Sequence, residues 1–255
     1  MRTPAASAPA VRWRPEKAGE VNSTNDLLLE RARRGEAEGL AVWATSQRAG
    51  RGRMGRTWLS PPGCGLYFSA LLRPPVPPEQ KPLMSILAGA AIAEALAEIG
   101  GLPVGLKWPN DLRLDRNKVG GILCEYEPKG GPVAAVVVGV GINLRTPPGG
   151  YPEEIRGRAV SMEEAGCRIA GEEEMIEALL SRLGSWYRDF LTSGFEPLRR
   201  RWEELCDGIG RRVTLSLAGG RATGTVAGID AAGHLLLEEA SGSVRSIDAG
   251  EIAEP

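Results

Sequence analysis

The stretch Gly50-Arg51-Gly52-Arg53-Met54-Gly55-Arg56 alternates glycine with arginine, and one apolar residue interrupts it. Apolar segments at 40–46 and 65–72 flank it, and both are typical of buried strands. The stretch is therefore predicted to be a loop that joins two strands of one sheet. Glycine lets a backbone N–H approach a ligand, and arginine offers carboxylate or phosphate oxygens a charged, planar fork. The pattern favours an anion-binding loop; a solvated basic loop and a nucleic-acid-binding arm are the alternatives.

The composition is typical of a globular protein that lacks a strong overall charge. Of 255 residues, 42% are hydrophobic and 25% are charged, which provides for a real core. The net charge of −1 does not attract DNA or an anionic membrane, and this weakens the nucleic-acid alternative. We find no run of 18 apolar residues and no signal peptide pattern, so a cytoplasmic protein with no membrane contact is expected.

Few residues suit nucleophilic or metal chemistry. Cys64, Cys124, Cys167 and Cys206 are scattered without a C-x-x-C pair, which is typical of thiols in a reducing compartment. The single histidine, His234, lies in a short β-like run near the C-terminus. Ser-His-Asp and Cys-His catalysis and His-rich zinc sites are therefore not expected in the main body.

Caps and apolar periodicity predict the helices. Ser23-Thr24-Asn25-Asp26 has the spacing of a capping box, and the helix after it is expected to end at Gly35. A second capping box, from Ser161 to Glu164, predicts that helical structure begins there. Further helices are expected at 83–99, 172–191 and 196–205.

Strand patterns fill the remainder and divide the chain into two domains. Residues 1–12 are predicted to be a flexible tail, followed by a short extended segment around Arg12–Arg14. A hairpin is expected across 112–126, and a turn from Pro128 to Gly131 leads into a buried strand at 133–140. Beyond Cys206, short strands separated by Gly-rich turns predict a small SH3-like β-barrel over 207–255. The expected strands of this barrel are 211–217, 221–229, 234–238 and 244–247.

A second dense stretch follows the Ala-rich helix. Lys107-Trp108-Pro109-Asn110-Asp111 ends a short strand, and Lys118 precedes Gly120-Gly121, which lets backbone approach a ligand. The segment Gly139-Val140-Gly141-Ile142-Asn143 lacks the third glycine and the helix of a dinucleotide-binding motif, so we exclude that motif.

Taken in order, these motifs resemble those of the biotin protein ligases over roughly residues 20 to 250. The combination is Ser23-Thr24-Asn25, Gln47 with the Gly/Arg loop and Trp58, the Lys107–Asp111 stretch with Lys118, and 139–143. The resemblance implies an α/β (α+β) fold, with a mixed sheet and packed helices as the catalytic domain over 1–206. Met54 departs from the residues common at its position, which is permissive.

The resemblance also implies an activity. Biotin and ATP, with Mg²⁺, give biotinyl-5′-AMP and pyrophosphate, and the biotinyl group then passes to a lysine of a biotin carboxyl carrier protein or carboxylase domain. Fewer than 25 residues precede Ser23, so we expect no N-terminal DNA-binding domain and no repressor function. Exposed sheet edges and the habit of the family suggest a homodimer.

Site residues follow from the same resemblance. The expected biotin-binding residues are Ser23, Thr24, Asn25, Gln47, Arg51, Gly52, Arg53, Lys118 and Gly121. The expected ATP- and adenylate-binding residues are Gly50, Arg56, Trp58, Asn110 and Asn143, with Trp58 stacked on the adenine. The expected catalytic residues are Lys118, Arg51, Arg53 and Asp111, and no direct protein site for a metal is expected. Asp111 either orients the acceptor amine or anchors its own turn.

The expected chemistry fits a chain body without histidine. A carboxylate is already ionised at neutral pH and needs no general base to attack the α-phosphorus. Arginine and lysine would offset the repulsion between two anions, and ligand binding would order a loop of like charges. A lipoate-type or other acyl-adenylate protein ligase is the nearest alternative function. A non-enzymatic module that binds nucleic acid through the arginine loop is the alternative from another class.

Overall fold

The computed structural model describes residues 10–80, 82–127 and 135–253. Residues 1–9 of the predicted tail, the turn from Pro128 to Gly131 and the first residues of the strand predicted at 133 lie outside the described residues. The strands of the first sheet are β1 (Arg14–Val21), β2 (Leu40–Gln47), β3 (Gly65–Leu72), β4 (Gly105–Lys107), β5 (Asp111–Leu114), β6 (Asn117–Glu127) and β7 (Ala135–Asn143). The helices are α1 (Thr24–Arg33), α2 (Pro82–Gly100), α3 (Glu172–Ser193) and α4 (Glu196–Leu205).

The first sheet is mixed, as the resemblance implied. Its order is β1-β2-β3-β7-β6-β5-β4, with β1 parallel to β2 and every other described neighbour antiparallel. The predicted extended segment at Arg12–Arg14 is wrong in extent, because β1 spans Arg14–Val21. This strand is polar and mostly exposed, so it carries no apolar alternation, and its pairing with β2 is what defines it.

Helices cover both faces of this sheet. α1 packs on one face, where Leu28 and Val42 belong to one buried cluster. α2 packs on the other face, and α3 and α4 pack against α2. Successive side chains of a strand point to opposite faces of the sheet. Val42 therefore packs on the α1 face, and its neighbour Trp43 belongs to the cluster on the α2 face. The site described below lies on the α1 face, where Ser69 of β3 touches the first turn of α1.

α2 is the one described helix long and apolar enough, by length and composition, to cross a membrane. It contains no unbroken run of 18 apolar residues, because Ser85, Glu94 and Glu98 interrupt it. Most of its apolar window, 78%, is buried inside the protein, and residues such as Leu87 and Ile92 are fully buried. α2 is apolar on all sides because it is buried between the sheet and two helices, as the core helix of a globular domain is.

The two predicted capping boxes differ from the structure in different ways. Ser23 occupies the position before α1, but its side chain makes no capping hydrogen bond. The Ser161 hydroxyl does accept a hydrogen bond from the Glu164 N–H at 3.1 Å, yet residues 162–166 form a turn and not a helix. The chain closes that turn with Gly166 at a φ of 82°, and α3 begins at Glu172. A local bond pattern alone does not propagate a helix without a face to bury.

The C-terminal strands form a second, antiparallel sheet. They are β8 (Arg212–Leu217), β9 (Gly220–Ile229), β10 (Leu235–Glu238), β11 (Val244–Ile247) and β12 (Glu251–Ile252). The order is β11-β10-β9-β8-β12, which agrees with a small SH3-like domain. β12 was not predicted, because two residues carry no readable alternation. The boundary predicted at 206/207 falls between α4 and β8 and stays a prediction.

The second sheet is tied to the first domain close to the Lys107–Asp111 stretch. The Trp108 indole N–H donates to the Gly233 carbonyl at 3.3 Å, and Leu106 forms a parallel bridge with Cys206. Arg113 pairs with Asp207 at 3.5 Å. Glu251 of β12 also pairs with Arg56 of the Gly/Arg loop, so the C-terminal domain borders the site described below.

Candidate active site

A cavity of about 750 Å³ opens on the α1 face of the first sheet. Apart from Gly50, each residue expected in the site lies in its lining: Ser23, Thr24, Asn25, Gln47, Arg51, Gly52, Arg53, Arg56, Trp58, Asn110, Asp111, Lys118, Gly121 and Asn143. Gly50 is buried beneath the loop, where a Cβ would lie 2.5 Å from the Trp58 carbonyl oxygen and 2.7 Å from the Ser60 hydroxyl. A glycine is therefore needed at position 50 because no larger residue fits there.

The first turn of α1 is bonded to the neighbouring strands. The Thr24 N–H and hydroxyl both donate to Gln47 Oε1, at 2.9 and 3.2 Å. The Gln47 amide in turn donates to the Ser60 hydroxyl at 3.0 Å. The Ser69 hydroxyl lies 2.8 Å from Thr24 Oγ1 and 2.6 Å from Asn25 Oδ1. Thr24, Asn25 and Gln47 are thus fixed before any ligand binds.

Each arginine of the Gly/Arg loop has a different environment. Arg51 contacts two carboxylates, Asp26 at 2.5 Å and Glu125 at 2.7 Å. Burial lowers the pKa of Arg51, but the hydrogen bonds to Asp26 and Glu125 outweigh it and leave that pKa above its ordinary value. Arg56 forms a two-pronged ion pair with Glu251 of β12, which raises the pKa of Arg56.

Arg53 differs from its two neighbours. Within the described chain it has no carboxylate at ion-pair distance, and its guanidinium lies 3.5 Å from Asn110 Oδ1. Burial lowers the pKa of Arg53, although an arginine stays charged at any physiological pH. A half-buried guanidinium that lacks an ion pair in the described protein is available to an anion from solution.

The loop that presents these arginines is tightly turned. Arg51 and Thr57 form an antiparallel bridge, and a short 3-10 turn spans Arg53–Gly55. Met54 has a φ of 57°, in the left-handed region that disfavours residues with a Cβ, and its side chain is 79% exposed. Met54 borders the cavity together with the three arginines of the loop.

Lys118 lies opposite the loop. Its ammonium is 2.5 Å from Asp111 and 5.5 Å from the centre of the Trp58 ring. The indole rests on two glycines, since a Cβ on Gly141 would lie 2.4 Å from the ring and one on Gly121 would lie 3.3 Å away. The Trp58 indole N–H is buried without a hydrogen-bond partner among the described residues.

Asn110 and Asn143 of the lining use their amide nitrogens to hold backbone. Asn110 donates to the Ile122 carbonyl at 2.7 Å, across the hairpin of β5 and β6. Asn143 donates to the Val160 carbonyl at 3.2 Å and to the Lys118 carbonyl at 3.4 Å. These bonds fix the backbone on either side of the Lys118 side chain.

The sequence did not reveal several lining or supporting residues. Lys107 is buried and lies in the lining, although its motif was noted without a role. Ser69 could have been found, since it is a polar residue within an apolar strand. Glu125 and Glu251 carry no local signal, because each gains its meaning from an arginine far away in sequence.

Direct metal ligation is weakly supported by this donor set. Within the described ranges, no group of three or more His, Cys, Asp or Glu side chains could hold a metal ion. The carboxylates in the described lining are Asp111 and Glu251, and each pairs with a cation. A divalent cation would therefore take its oxygen ligands mainly from a phosphorylated ligand.

Comparison with known proteins agrees with this geometry. Residues 19–143 match the biotin/lipoate A/B protein ligase family, and residues 208–253 match the biotin protein ligase C-terminal domain. The chain is 35% identical to the bifunctional ligase/repressor BirA of Bacillus subtilis, over 87% of this chain and 68% of that protein. It is 32% identical to a biotin–[acetyl-CoA-carboxylase] ligase of Paracoccus denitrificans, over 87% of this chain and 93% of that protein.

A solved structure extends the likeness to three dimensions. The biotin protein ligase of Aquifex aeolicus, in complex with biotin and ATP, superposes with a TM-score of 0.80 at 33% identity. The match covers 94% of this chain and 97% of that one. Because both domains match, the chain belongs to the biotin/lipoate A/B protein ligase family and, within it, to the biotin protein ligases.

Proposed function

We propose that this chain forms biotinyl-5′-AMP in the cavity and that Arg51, Arg53 and Lys118 stabilise the reacting anions. The chain is a biotin–[biotin carboxyl-carrier protein] ligase that uses ATP and forms AMP. The convergence of Arg53 with Lys118 in one cavity carries this assignment, because both cations face the space between the loop and the β5–β6 hairpin. Fixed cations in a partly enclosed site stabilise developing negative charge strongly.

The first half-reaction needs charge neutralisation and no base. A biotin carboxylate oxygen bonds to the α-phosphorus while the bond from that phosphorus to the pyrophosphate oxygen breaks. Arg51 and Lys118 hold the carboxylate and the α-phosphate, and Arg53 holds a phosphate oxygen. Lys118 is a compact charge that can follow the oxygen as the bonding changes.

The biotin end of the cavity is polar and neutral. Thr24, Asn25 and Gln47 are held by the hydrogen bonds described above, and Ser23 lies in the lining just before α1. Gly52 and Gly121 offer backbone without a Cβ to the same space. Such a site suits an uncharged bicyclic ligand whose carboxylate extends toward the cations.

The nucleotide lies at the other end of the cavity. We assign Trp58 to stacking on the adenine ring and Arg56 to the edge of the phosphates. Asn110 and Asn143 hold the protein backbone around the nucleotide, and Gly50 supports the loop. Mg²⁺ enters with the triphosphate and neutralises the departing pyrophosphate.

In the second half-reaction the acceptor amine attacks the biotinyl carbonyl carbon. The bond from that carbon to the phosphate oxygen breaks, and AMP leaves. Asp111 lies in the lining beside Lys118, where it orients the amine and accepts its proton. The ion pair with Lys118 holds this carboxylate in place and ionised, as an acceptor of hydrogen bonds from the amine.

The acceptor is a lysine of a biotin carboxyl carrier protein or of a carboxylase domain. The name of the Paracoccus denitrificans relative supports an acetyl-CoA carboxylase as its source. We further propose a cytoplasmic homodimer that does not bind nucleic acid, with a catalytic domain over 1–206 and an SH3-like domain over 207–255. The small net charge supports the lack of nucleic-acid binding.

Pyrophosphate release tests the assignment. Wild-type protein with ATP and Mg²⁺ should release pyrophosphate when biotin is added and not when lipoate replaces it. Lys118→Ala and Arg53→Ala should each lower the rate by roughly 10²–10³-fold. Arg34→Ala is the control, because Arg34 pairs with Glu30 on the exposed end of α1. Release that depends on lipoate and not on biotin contradicts the proposal.

A further inference from the structure

Glu125 links two parts of the site that are distant in sequence. It lies on β6, and its carboxylate accepts hydrogen bonds from Arg51 Nη2, at 3.0 and 2.7 Å to its two oxygens. The same carboxylate accepts a hydrogen bond from Asn25 Nδ2 at 2.7 Å. One half-buried side chain therefore touches both the Gly/Arg loop and the first turn of α1.

The contacts of Arg51 leave part of its guanidinium free. Nη2 is directed at Glu125, and Nη1 gives one hydrogen bond to Asp26 at 2.5 Å. A guanidinium has five N–H donors, so Nε–H and the second Nη1–H have no partner among the described contacts. The two carboxylates hold one side of Arg51 and leave donors for an anion in the cavity that it lines.

Asn25 has little hydrogen-bonding capacity left for a ligand. Its amide nitrogen donates to the Leu123 carbonyl at 3.1 Å and to Glu125, while its oxygen lies 2.6 Å from the Ser69 hydroxyl. A Cβ on Gly139 would lie 2.1 Å from that oxygen, so Gly139 makes the room that this amide occupies. Asn25 acts as a fixed support for Glu125.

Charge balance in the loop also indicates that Glu125 restrains Arg51. Arg51, Arg53 and Arg56 lie within a few residues of one another, and their repulsion opposes an ordered loop. Glu125 and Asp26 neutralise the charge at Arg51 while Asn25 prevents the Glu125 carboxylate from rotating away. Arg51 Nη2 contacts both oxygens of a carboxylate that Asn25 holds in place, and this charge-assisted contact restrains a long side chain that has many rotamers.

We propose that Glu125 is a positioning residue, which acts through Arg51 and orients its free donors toward the carboxylate and α-phosphate. This inference rests on the proposed function of Arg51. Asp26 supports the same arginine from the first turn of α1, at a more exposed position.

Variants of Glu125 test the inference in the full-length protein. Glu125→Gln should lower kcat/KM for biotin in pyrophosphate release by about tenfold, which is the scale of a lost charge-assisted hydrogen bond. Glu127→Gln is the matched control, because Glu127 lies two residues further along β6 and pairs with Arg33 outside the cavity. Asp26→Asn, at a more exposed site that is safer for folding, should give a smaller loss of about threefold.

A double mutant separates positioning from a general structural role. In an Arg51→Ala background, Glu125→Gln should change kcat/KM by less than about twofold, because the arginine through which it acts is gone. The melting temperatures of Glu125→Gln and Glu127→Gln should agree. A loss of similar size in both backgrounds overturns the inference, and so does a Glu125→Gln variant that matches the control.

Two further outcomes are informative. A gain in biotin affinity in Glu125→Gln would overturn the inference by showing that the carboxylate competes with the ligand. An Arg51→Ala variant with unchanged kcat/KM would remove the role of Arg51 in the proposed function, and the inference with it. The wild-type assay decides the proposed function itself, so the two failures are distinguishable.

Discussion

Arg56 of the Gly/Arg loop and Glu251 of β12 form a two-pronged ion pair that joins the loop to the C-terminal domain. Both side chains are about half exposed, so the pair contributes less than about 1 kcal/mol to the stability of folding. Its larger effect is on the loop, since β12 offers a fixed anchor at the cavity edge. The C-terminal domain thus forms part of the cavity lining.

Glu251→Gln should leave global stability nearly unchanged and loosen the loop. We expect faster trypsin cleavage after Arg53 or Arg56, because the neutral side chain retains only weak hydrogen bonds to Arg56. Limited proteolysis followed by mass spectrometry measures this directly. Biotin with MgATP should slow the cleavage in both proteins, and equal cleavage of the variant and the wild type would contradict the anchoring role.

Asp111→Asn should separate the two half-reactions. Pyrophosphate release should fall by less than about tenfold, because Lys118 keeps its charge and a hydrogen-bond partner. Transfer from isolated biotinyl-5′-AMP to the acceptor lysine should fall by more than about tenfold, because the amide cannot accept a proton. Equal loss in both assays would assign Asp111 to anchoring its turn.

Gly141→Ala should disturb the Trp58 indole. A Cβ at this position would lie 2.4 Å from the ring, so the indole or β7 must move, at a cost of about 1–3 kcal/mol. We expect a raised KM for ATP and a lower melting temperature. Gly219→Ala is the control, since a Cβ there meets nothing within 4 Å. An unchanged KM for ATP would show that Trp58 has no part in nucleotide binding.

Cys206 should make stability depend on alkaline pH. Burial raises the pKa of its thiol to about 11 from an ordinary value of 9.0. The folded protein therefore favours the protonated thiol, so this contribution is complete below pH 9 and is lost as the pH rises toward 11. The loss amounts to about 3 kcal/mol. Cys206→Ala should flatten the fall in unfolding free energy between pH 8 and 11, and an unchanged profile would contradict the assignment.

Much of the fold could be predicted from local patterns. The strand before the Gly/Arg loop and α2 were found because they are almost continuously apolar, and α4 because its apolar residues share one face. β1 and β12 could not be found, since a polar edge strand and a two-residue strand exist only through their partners. Ser161 shows the limit of capping patterns, because its capping bond forms without a helix.

The site was predictable in its motifs and not in its pairings. The sequence suggested that the Gly/Arg loop, Lys118 and Trp58 serve one ligand, and the structure places them in one lining. It could not show that Arg51 contacts Glu125 or that Arg56 contacts Glu251, because those partners lie 74 and 195 residues away. Such contacts depend on the tertiary fold. Among the three arginines of the loop, they leave Arg53 as the one without a carboxylate partner in the described chain.

The most direct test is to identify the product bound to the enzyme before any acceptor is present. The wild-type protein is incubated with biotin and MgATP, separated from free ligands and analysed by mass spectrometry. We expect biotinyl-5′-AMP in the cavity, followed by a biotinylated lysine and free AMP once a biotin carboxyl carrier domain is added. Enzyme that carries no adenylate, or an adenylate that never reaches the acceptor lysine, would contradict the account.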